Sequence, residues 1–468
     1  MNLFRQSRFC QFWTRLDASV CNWWNGSLPG RWLTCQDPER SVFLPARGIC
    51  ARLRGLLCRV LEQLPLPAAL GSFPFAALFA AAALILAPVL PTMAVLALVC
   101  GCFGFFLLRL GMDRDAAVLS APLNAHIGLY ALVILWSTVT SVDPAGSLLP
   151  GLLTMAFVLF YFGVTSSGLE RHLSAVLWLL LAAGVGVSLY GFYQAFFPER
   201  YSDVWTDTDL FSNITFRVYS TLANPNVLGE YLLLMIPLAC AMLFSSDSWA
   251  KRIVCLLAAG IMGVCLILTY SRGCYLGLLF AAAVFLVLLD RRFLFLGIAA
   301  VALCPLYLPD SVISRFTSIG NLADSSTSYR VHIWLGSLAM LKDFGFSGVG
   351  LGTEAFNTVY PYYSQHGVAA QHAHNLYLQI LCDSGIVGLL VFLGLIVCFY
   401  RMMLTAIRHE RDRRAKVLQI GGTSAVSGFL VQSMTDYTFY NYRLLLLFFG
   451  ILGLCVLLTR MGSREDLQ

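Results

Sequence analysis

The polar stretch at residues 371–375 holds the residue types best suited to chemistry in this chain, in the order Gln, His, Ala, His and Asn. It stands directly before a long apolar segment, so it marks a junction between water and membrane. A histidine at such a junction can take a proton from a hydroxyl, because histidine titrates near neutrality. Asn375 can hold a ligand or cap the helix that follows it. Two interpretations stay open here: His374 is a base with Asn375 as its partner, or His374 is an interfacial histidine beside an N-cap.

Histidines are concentrated in the same region, which raises the alternative of a metal site. Four of the seven are His332, His366, His372 and His374. Residues two apart do not share a helix face, and the chain has no His-Glu-x-x-His pattern. The cysteines of the N-terminal segment also lack the spacing of zinc ligands. We therefore predict no metal and no cofactor.

Two arginines stand at predicted ends of apolar segments. Arg272 belongs to the stretch Thr-Tyr-Ser-Arg-Gly at 269–273, and Arg330 opens a stretch with helical apolar spacing. Such an arginine either reaches to the membrane interface or binds an anion, since a guanidinium matches phosphate oxygens bidentately. The very short connection after Arg272 favours anion binding there.

A further polar junction begins at Asp436 and continues with Tyr437, Tyr440, Tyr442 and Arg443. Aromatic residues are enriched where helices leave a membrane, so an aromatic belt is the simpler interpretation. Stacking of these rings on a sugar is the alternative. Asp436 and Tyr437 are therefore predicted as supporting or acceptor-binding residues, together with His372 and Asn375.

The amino-acid composition predicts the fold class of the protein that carries these residues. Apolar residues make up 58% of the 468 residues and charged residues 12%, against about a quarter charged in soluble proteins. Apolar runs of about 18 residues recur, which predicts an all-α, polytopic membrane protein rather than a β-barrel. Twelve spans are predicted, at 73–89, 91–109, 120–138, 148–166, 173–196, 226–244, 253–270, 274–289, 293–309, 376–400, 416–435 and 442–460.

The distribution of Lys and Arg predicts the orientation. With both termini in the cytoplasm, 24 of the 31 basic residues fall on the inner side, as the positive-inside rule requires. The other seven basic residues fall on the predicted outer side, where the positive-inside rule does not explain them: Arg200, Arg217, Arg272, Arg315, Arg330, Lys342 and Arg443. The predicted location is the cytoplasmic (inner) membrane, with both termini inside.

The chain divides into a cytoplasmic, basic segment at 1–70, containing Trp and Cys, and a membrane domain at 71–468. Within 1–70, residues 47–61 are predicted to form a surface helix on anionic lipid, or a site for a cytosolic partner. The largest outer loop, about 310–375, is predicted to contain an amphipathic helix at 328–341 that lies on the outer membrane face. A glycine-rich turn follows at 345–352.

Several of these motifs resemble the bacterial O-antigen ligase/polymerase superfamily. The resembling elements are Tyr270-Ser271-Arg272-Gly273, Arg330 with Trp334 and the Gly348–Gly352 turn, His374-Asn375 followed after nine residues by Gly385 and then Gly388, and Asn224-Pro225-Asn226. The resemblance covers about 220–440, and residues 1–70 have no counterpart in the family core.

The resemblance implies a glycosyltransferase of the GT-C-like membrane type. Such enzymes take a glycan from an undecaprenyl-pyrophosphate donor at the outer face of the inner membrane, without a metal or a nucleotide sugar. By position, Arg272 and Arg330 would bind the pyrophosphate, and His374 would act as base or orient the acceptor hydroxyl. The implied partners are this donor, a glycan, lipid or protein acceptor, and the bilayer, but no nucleic acid. Ligase and polymerase remain alternatives.

A membrane transporter for bicarbonate or another small anion is the rival class. Transporters usually contain repeated halves with helices broken near the middle of the membrane. The sequence predicts neither feature, and its candidate residues cluster at the outer surface. Glycosyl transfer is therefore favoured.

Overall fold

The computed structural model describes residues 55–56, 59, 74–112, 118–201, 205, 216–303, 309–317 and 325–461. In these residues every regular element is helical, which confirms the predicted all-α class. The predictions for 1–70 lie outside the described residues except at 55, 56 and 59.

The α-helices are α1 Phe75–Leu86, α2 Thr92–Met112, α3 Leu123–Val139, α4 Pro144–Ser166, α5 Leu173–Phe196, α6 Pro225–Ser245, α7 Trp249–Leu268, α8 Arg272–Asp290, α9 Phe293–Leu303, α10 Asp310–Thr317, α11 Ser325–Phe344, α12 Thr353–Val359, α13 Leu376–His409, α14 Arg413–Gln432 and α15 Tyr442–Leu458.

Each of the twelve predicted spans coincides with one of these helices. Seven candidate spans among the described residues are long and apolar enough to cross a membrane, namely α2, α4, α5 with the short turn before it, α6, α7, α8 and α13. Helices α1, α3 and α15 are apolar but shorter. The number of twelve crossings and the GT-C-like arrangement therefore stay predictions.

Short polar residues determine where several helices begin. Asp143 accepts a hydrogen bond from the Gly146 amide at 3.0 Å and is followed by proline at the first helical position of α4. Asp412 caps α14 in the same way through the Ala415 amide. These side chains satisfy backbone amides that have no partner inside the helix.

Helix α14 is the centre of the C-terminal half of the bundle. It packs against α6 and α8, and α15 packs against α4, while α13 packs against α3. The approach of α8 and α14 is close, because Gly277 and Gly428 face each other without side chains between them. Small residues at such contacts allow backbones to pack tightly where no hydrophobic effect drives helices together.

The two ends of the bundle carry different sets of loops. At one end, the Leu376 amide donates to the Ser433 carbonyl at 2.9 Å, and Arg443 contacts the carbonyl of Thr221. At the other end, Gln419 donates to the Leu458 carbonyl at 3.1 Å. The loops predicted to lie outside thus meet at one end of the molecule. Which end faces the cytoplasm stays a prediction.

Helix α13 is broken at Gly385, which corrects the expectation that no span is interrupted. Gly385 has φ 66° and ψ −170°, a conformation open mainly to glycine. The turn at 345–350 fills the break: the Val349 amide donates to the Cys382 carbonyl at 2.8 Å and the Gly350 amide to the Asp383 carbonyl at 3.0 Å. A Cβ at residue 385 would overlap the carbonyl of Phe346.

The predicted outer-loop helix exists as α11, and its placement on the outer membrane face stays a prediction. Its fully buried residues include Ile333 and Met340, whereas Leu335 and Leu338 are exposed. Trp334 donates its indole N–H to the carbonyl of His374 at 3.4 Å. The apolar spacing identified the helix, but the Trp334 side chain turns towards the segment that precedes α13.

Candidate functional site

A cavity of about 460 Å³ opens at the end of the bundle where the loops predicted to lie outside meet. Its volume is within the range of about 300–1,000 Å³ that is typical of ligand sites. Apart from Val227, the residues around it are polar or aromatic, and they come from several separate segments: Trp205, Arg217, Asn224, Asn226, Val227, Glu230, Tyr329, Arg330, His372, His374, Asp436, Tyr437 and Tyr440.

The central feature of the cavity is a hydrogen-bonded pair formed by His374 and Asp436. The distance between His374 Nδ1 and Asp436 Oδ1 is 3.1 Å. A carboxylate only accepts hydrogen bonds, so Nδ1 carries a proton, and in the neutral imidazole Nε2 then holds a lone pair. This is the arrangement in which an acidic residue orients a histidine that acts as a base.

The backbone around His374 is held by a dense set of contacts. Asn375 is the N-cap of α13, because its Oδ1 accepts from the Leu378 amide at 3.0 Å while its Nδ2 donates to the Met434 carbonyl at 2.8 Å. The Ala373 amide donates to Gln379 Oε1 at 2.6 Å. Asn375 thus holds the loop after α14 against the start of α13, and it is not among the described residues that line the cavity.

His374 itself has a positive φ of 46°. A residue other than glycine rarely adopts this conformation, and such positions are concentrated at functional sites. The His374 ring lies 5.9 Å from the ring of Tyr329 on α11.

His372 supports His374 from the same segment. Its ring centroid lies 4.1 Å from that of His374, and its Nδ1 accepts the His374 amide at 3.3 Å, so its own proton is on Nε2. Burial is the main cause that lowers the pKa of His372 to about 4; His374, when it is protonated, and Arg330 lower this pKa further, whereas Asp436 raises it. His372 is therefore neutral at physiological pH and adds no charge beside His374.

Asp436 accepts hydrogen bonds from three directions. Oδ1 accepts from His374 and from the Tyr437 amide at 2.9 Å, and Oδ2 accepts from Asn226 Nδ2 at 2.9 Å. Burial by itself raises the pKa of a carboxyl group. The hydrogen bond from His374 and the charge of Arg330 outweigh this effect and hold the pKa of Asp436 below its usual range. The carboxylate is therefore ionised at physiological pH.

The two predicted anion-binding arginines occupy different places. Arg330 lines the cavity, and its Nη2 lies 3.9 Å from Asp436 Oδ2. Arg272 is the first residue of α8 and is not among the described residues around the cavity. Its neighbour Gly273 lies against Thr435, next to Asp436 in the chain. The Ser-Arg-Gly motif is thus in contact with the end of α14, next to the loop that carries Asp436.

Glu230 closes the floor of the cavity and is 1% exposed. Its Oε1 accepts from Gln432 Nε2 at 3.2 Å, and its Oε2 has no hydrogen-bond partner among the described residues. Gln432 is held in turn between Glu230 and Gly273, where a Cβ would overlap the Gln432 amide and the Thr435 hydroxyl. The glycine of the Ser-Arg-Gly motif therefore makes room for the side chain that holds Glu230.

Aromatic rings form much of the remaining wall. Tyr437, predicted as a supporting residue, lies with its ring 5.5 Å from that of His372, and Tyr440 lies 5.1 Å from the same ring. Burial raises the pKa of Tyr437 well above its usual range, so its hydroxyl stays protonated. Aromatic rings beside amide and carboxylate groups provide stacking surfaces and hydrogen-bond partners together, which suits a polyhydroxylated ligand.

Five of the seven predicted site residues thus share one cavity: Arg330, His372, His374, Asp436 and Tyr437. Arg217, Asn226 and Glu230 were not predicted as site residues, although the chain carried signals for them. Arg217 was one of the unexplained outer cations, and Glu230 is an ionisable residue inside a span, which marks a functional candidate by default. In the described part of the chain, no three His, Cys, Asp or Glu side chains come together as metal ligands.

Residues 257–393 match the protein family described as O-antigen ligase. The match confirms the predicted resemblance to the O-antigen ligase-like superfamily. It contains Arg272, Arg330, His374 and Asn375, whereas Asp436 and the start of α6 lie outside it. No curated protein matches the chain. Residues 257–393 are thus similar to the O-antigen ligase family, and the apolar helices indicate an integral membrane protein.

Proposed function

We propose that this protein is a glycosyltransferase that transfers or polymerises a glycan from an undecaprenyl-pyrophosphate donor at the outer face of the cytoplasmic membrane. The observation that carries the proposal is the His374–Asp436 pair, 3.1 Å apart in a polar cavity beside Arg330. The O-antigen ligase match over residues 257–393 supports the same class of reaction.

In the proposed reaction, His374 Nε2 takes the proton of an acceptor hydroxyl. The hydroxyl oxygen attacks the anomeric carbon of the donor glycan, and the bond from that carbon to the diphosphate oxygen breaks. The electron pair of the broken bond leaves with undecaprenyl diphosphate, and the proton on His374 passes to water. Asp436 stabilises the imidazolium that forms, because it remains ionised. The donor is already activated, so the step needs no ATP and no metal.

The arginines are assigned to the leaving group. Negative charge increases on the diphosphate as the glycosidic bond breaks, and fixed cations stabilise that change most when they are already in place. Arg330 lies within the cavity, and Arg272 begins a helix beside it, where the helix dipole adds positive potential. These two arginines would bind the diphosphate beside the loop that carries Asp436.

The wall of the cavity supports a sugar as the bound group. Trp205, Tyr329, Tyr437 and Tyr440 present rings, and Asn224 presents an amide. Hydroxyl groups of a glycan donate to carboxylate and amide oxygens, and the faces of its rings pack on aromatic side chains. Whether the acceptor is a glycan chain, a lipid or a protein distinguishes a polymerase from a ligase.

The broken helix α13 is the one observation that favours the rival transporter class, because transporters bind ions at such breaks. In those sites the freed carbonyls coordinate the ion. Here the carbonyls of Cys382 and Asp383 accept hydrogen bonds from Val349, Gly350 and Ser137 instead. The break therefore serves to dock the 345–350 turn, and the transferase remains the better proposal.

A strain that lacks the protein tests the proposal. We expect this strain to accumulate lipid-linked glycan, and the purified protein in nanodiscs to release undecaprenyl diphosphate when supplied with that glycan and an extract of the cell envelope. Mass spectrometry of the products would show whether the glycan has been elongated or moved to another acceptor. Intact donor, with loss of small-anion uptake in the strain, would contradict the transferase and support a transporter.

A further inference from the structure

A chain of hydrogen bonds connects the turn before α8 with the His374–Asp436 pair. Arg217 Nε donates to the Thr269 carbonyl at 2.9 Å, and Arg217 Nη2 donates to Asn226 Oδ1 at 3.1 Å. Asn226 Nδ2 then donates to Asp436 Oδ2 at 2.9 Å. The turn that precedes the Ser-Arg-Gly motif, the start of α6 and the Asp436 loop are thereby held at a set distance from each other.

The side chain of Asn226 is not needed to start α6. Asn224 is the N-cap, since its Oδ1 accepts the Asn226 amide at 2.8 Å, and Pro225 occupies the first helical position. The first Asn and the Pro of the Asn-Pro-Asn motif therefore suffice for the helix. The second Asn is free to reach into the cavity, where it bridges Arg217 and Asp436.

The amide of Asn226 can be oriented in one way only. Arg217 has donors and no acceptor, so it must face the amide oxygen, and the Asp436 carboxylate has acceptors only, so it must face the amide nitrogen. An aspartate at 226 would keep a partner for Arg217 but would set a second carboxylate against Asp436. Asparagine is thus the residue of this size that satisfies both neighbours.

Arg217 is held rather than available as a simple anion ligand. Its three guanidinium nitrogens donate to the carbonyls of Thr269 and Trp205 and to Asn226. A guanidinium can fix three separate segments because its donors form a rigid planar fork.

We propose that Asn226 and Arg217 are positioning residues that hold the Asp436 carboxylate in place and thereby orient His374. The proposal rests on the glycosyltransferase function proposed above. Asn226 acts on the reaction through Asp436, and Arg217 acts through Asn226. Neither residue takes or gives a proton in the reaction.

Two substitutions of Asn226 separate this role from a purely structural one. Asn226→Ala removes the bond to Asp436, and Asn226→Asp keeps the Arg217 contact but repels Asp436. The probe is the lipid-linked glycan extracted from a strain without the protein. We expect kcat to fall at least about tenfold in Asn226→Ala and further in Asn226→Asp, with KM changed less than about threefold, because a hydrogen bond to a charged group is lost. Arg217→Lys should resemble Asn226→Ala.

The matched control is Asn124→Ala at the opposite end of the bundle. Asn124 donates to the Leu119 carbonyl at 2.7 Å and accepts from the Tyr161 hydroxyl at 2.9 Å. Asn124→Ala should lower the stability of the fold but leave the residues of the cavity unchanged. We therefore expect kcat per folded molecule to stay at the wild-type value. Wild-type kcat in Asn226→Asp, or equal effects of Asn124→Ala and Asn226→Ala, would overturn the proposal.

A second readout does not depend on turnover. In protein labelled with ¹⁵N-histidine, the His374 signals are those that disappear in His374→Gln. We expect the His374 signals to change position in Asn226→Ala, because the Asp436 carboxylate that accepts from His374 Nδ1 loses its bond to Asn226. Unchanged signals would overturn the positioning role, whereas absence of glycan transfer by the wild type would contradict only the proposed function.

Discussion

Asp436 accepts a hydrogen bond from His374 at 3.1 Å, although 62 residues and the whole of α13 and α14 separate the two in the chain. The contact exists because the Leu376 amide donates to the carbonyls of both Ser433 and Asp436. The end of α14 is thus attached to the start of α13. A base and its orienting carboxylate are brought together by the same contacts that close the bundle at this end.

The first prediction concerns that carboxylate. Asp436→Asn keeps the size of the side chain but removes the charge that stabilises an imidazolium, so we expect kcat to fall by about 100-fold or more. Glycan transfer by purified protein in nanodiscs is the measurement. Asp343→Asn is the control, because Asp343 lies on the exposed side of α11 and bonds only the Tyr363 hydroxyl among the described hydrogen bonds. Equal activity of the two variants would remove Asp436 from the mechanism.

The two arginines assigned to the diphosphate give a second prediction. Arg272→Lys and Arg330→Lys each keep the charge and lose the fork, so we expect transfer to fall about 10–100-fold. Arg200→Lys is the matched control, since Arg200 stacks on Phe197 and donates to the Tyr193 hydroxyl, away from the cavity. Wild-type kinetics in Arg272→Lys would show that Arg272 only reaches to the membrane interface.

Gly385 supplies a prediction about stability. Alanine at 385 would have to adopt a positive φ and would overlap the Phe346 carbonyl, which costs at least about 1–3 kcal/mol. We expect a lower midpoint of thermal unfolding in detergent. In contrast, Gly263→Ala lies within helix α7 with open space around its Cβ, so it should be neutral or slightly stabilising. Equal midpoints for both variants would mean that the break does not restrict residue 385.

The low pKa of His372 predicts how stability depends on pH. The folded-state pKa of about 4 lies below the value of about 6.5 for an unperturbed histidine, so folding favours the neutral form. The free energy of unfolding therefore has its full value above pH 6.5. It decreases as the pH falls from 6.5 towards 4, by at most about 3 kcal/mol. Asp436 also has a lowered pKa, but its contribution is lost only below the ordinary carboxyl range.

Thermal unfolding of the wild type and of His372→Gln between pH 7 and 4 measures this effect. We expect the midpoint of the wild type to fall more steeply with decreasing pH than that of the variant, because the variant has no buried imidazole to protonate. Parallel curves would indicate that His372 is protonated as easily in the folded protein as in the unfolded one.

The positions of the helices could be predicted from the sequence because apolar length is a local property. Every predicted span contains a helix, and Asn375 at the start of α13 was identified from residue type alone. The break at Gly385 could not be predicted in this way, since it depends on the turn at 345–350 that fills it. A lone glycine in an apolar segment is equally compatible with an uninterrupted helix.

The site was partly predictable for a similar reason. His374 and Arg330 stand out as polar residues at predicted junctions, and Asp436 follows the end of a predicted span. Asn226 could not be assigned a role from its position, because its two partners lie in distant segments. Such a role becomes visible only when the three-dimensional contacts show what an amide connects.

The central claim is that His374 is the base of a glycosyl transfer. Its most direct test is the single-turnover release of undecaprenyl diphosphate by purified wild-type protein and by His374→Ala, with donor binding measured in parallel. We predict that release falls at least about 100-fold in the variant while donor binding stays within about threefold of the wild type. Undiminished release by a folded and membrane-inserted His374→Ala protein would contradict the account.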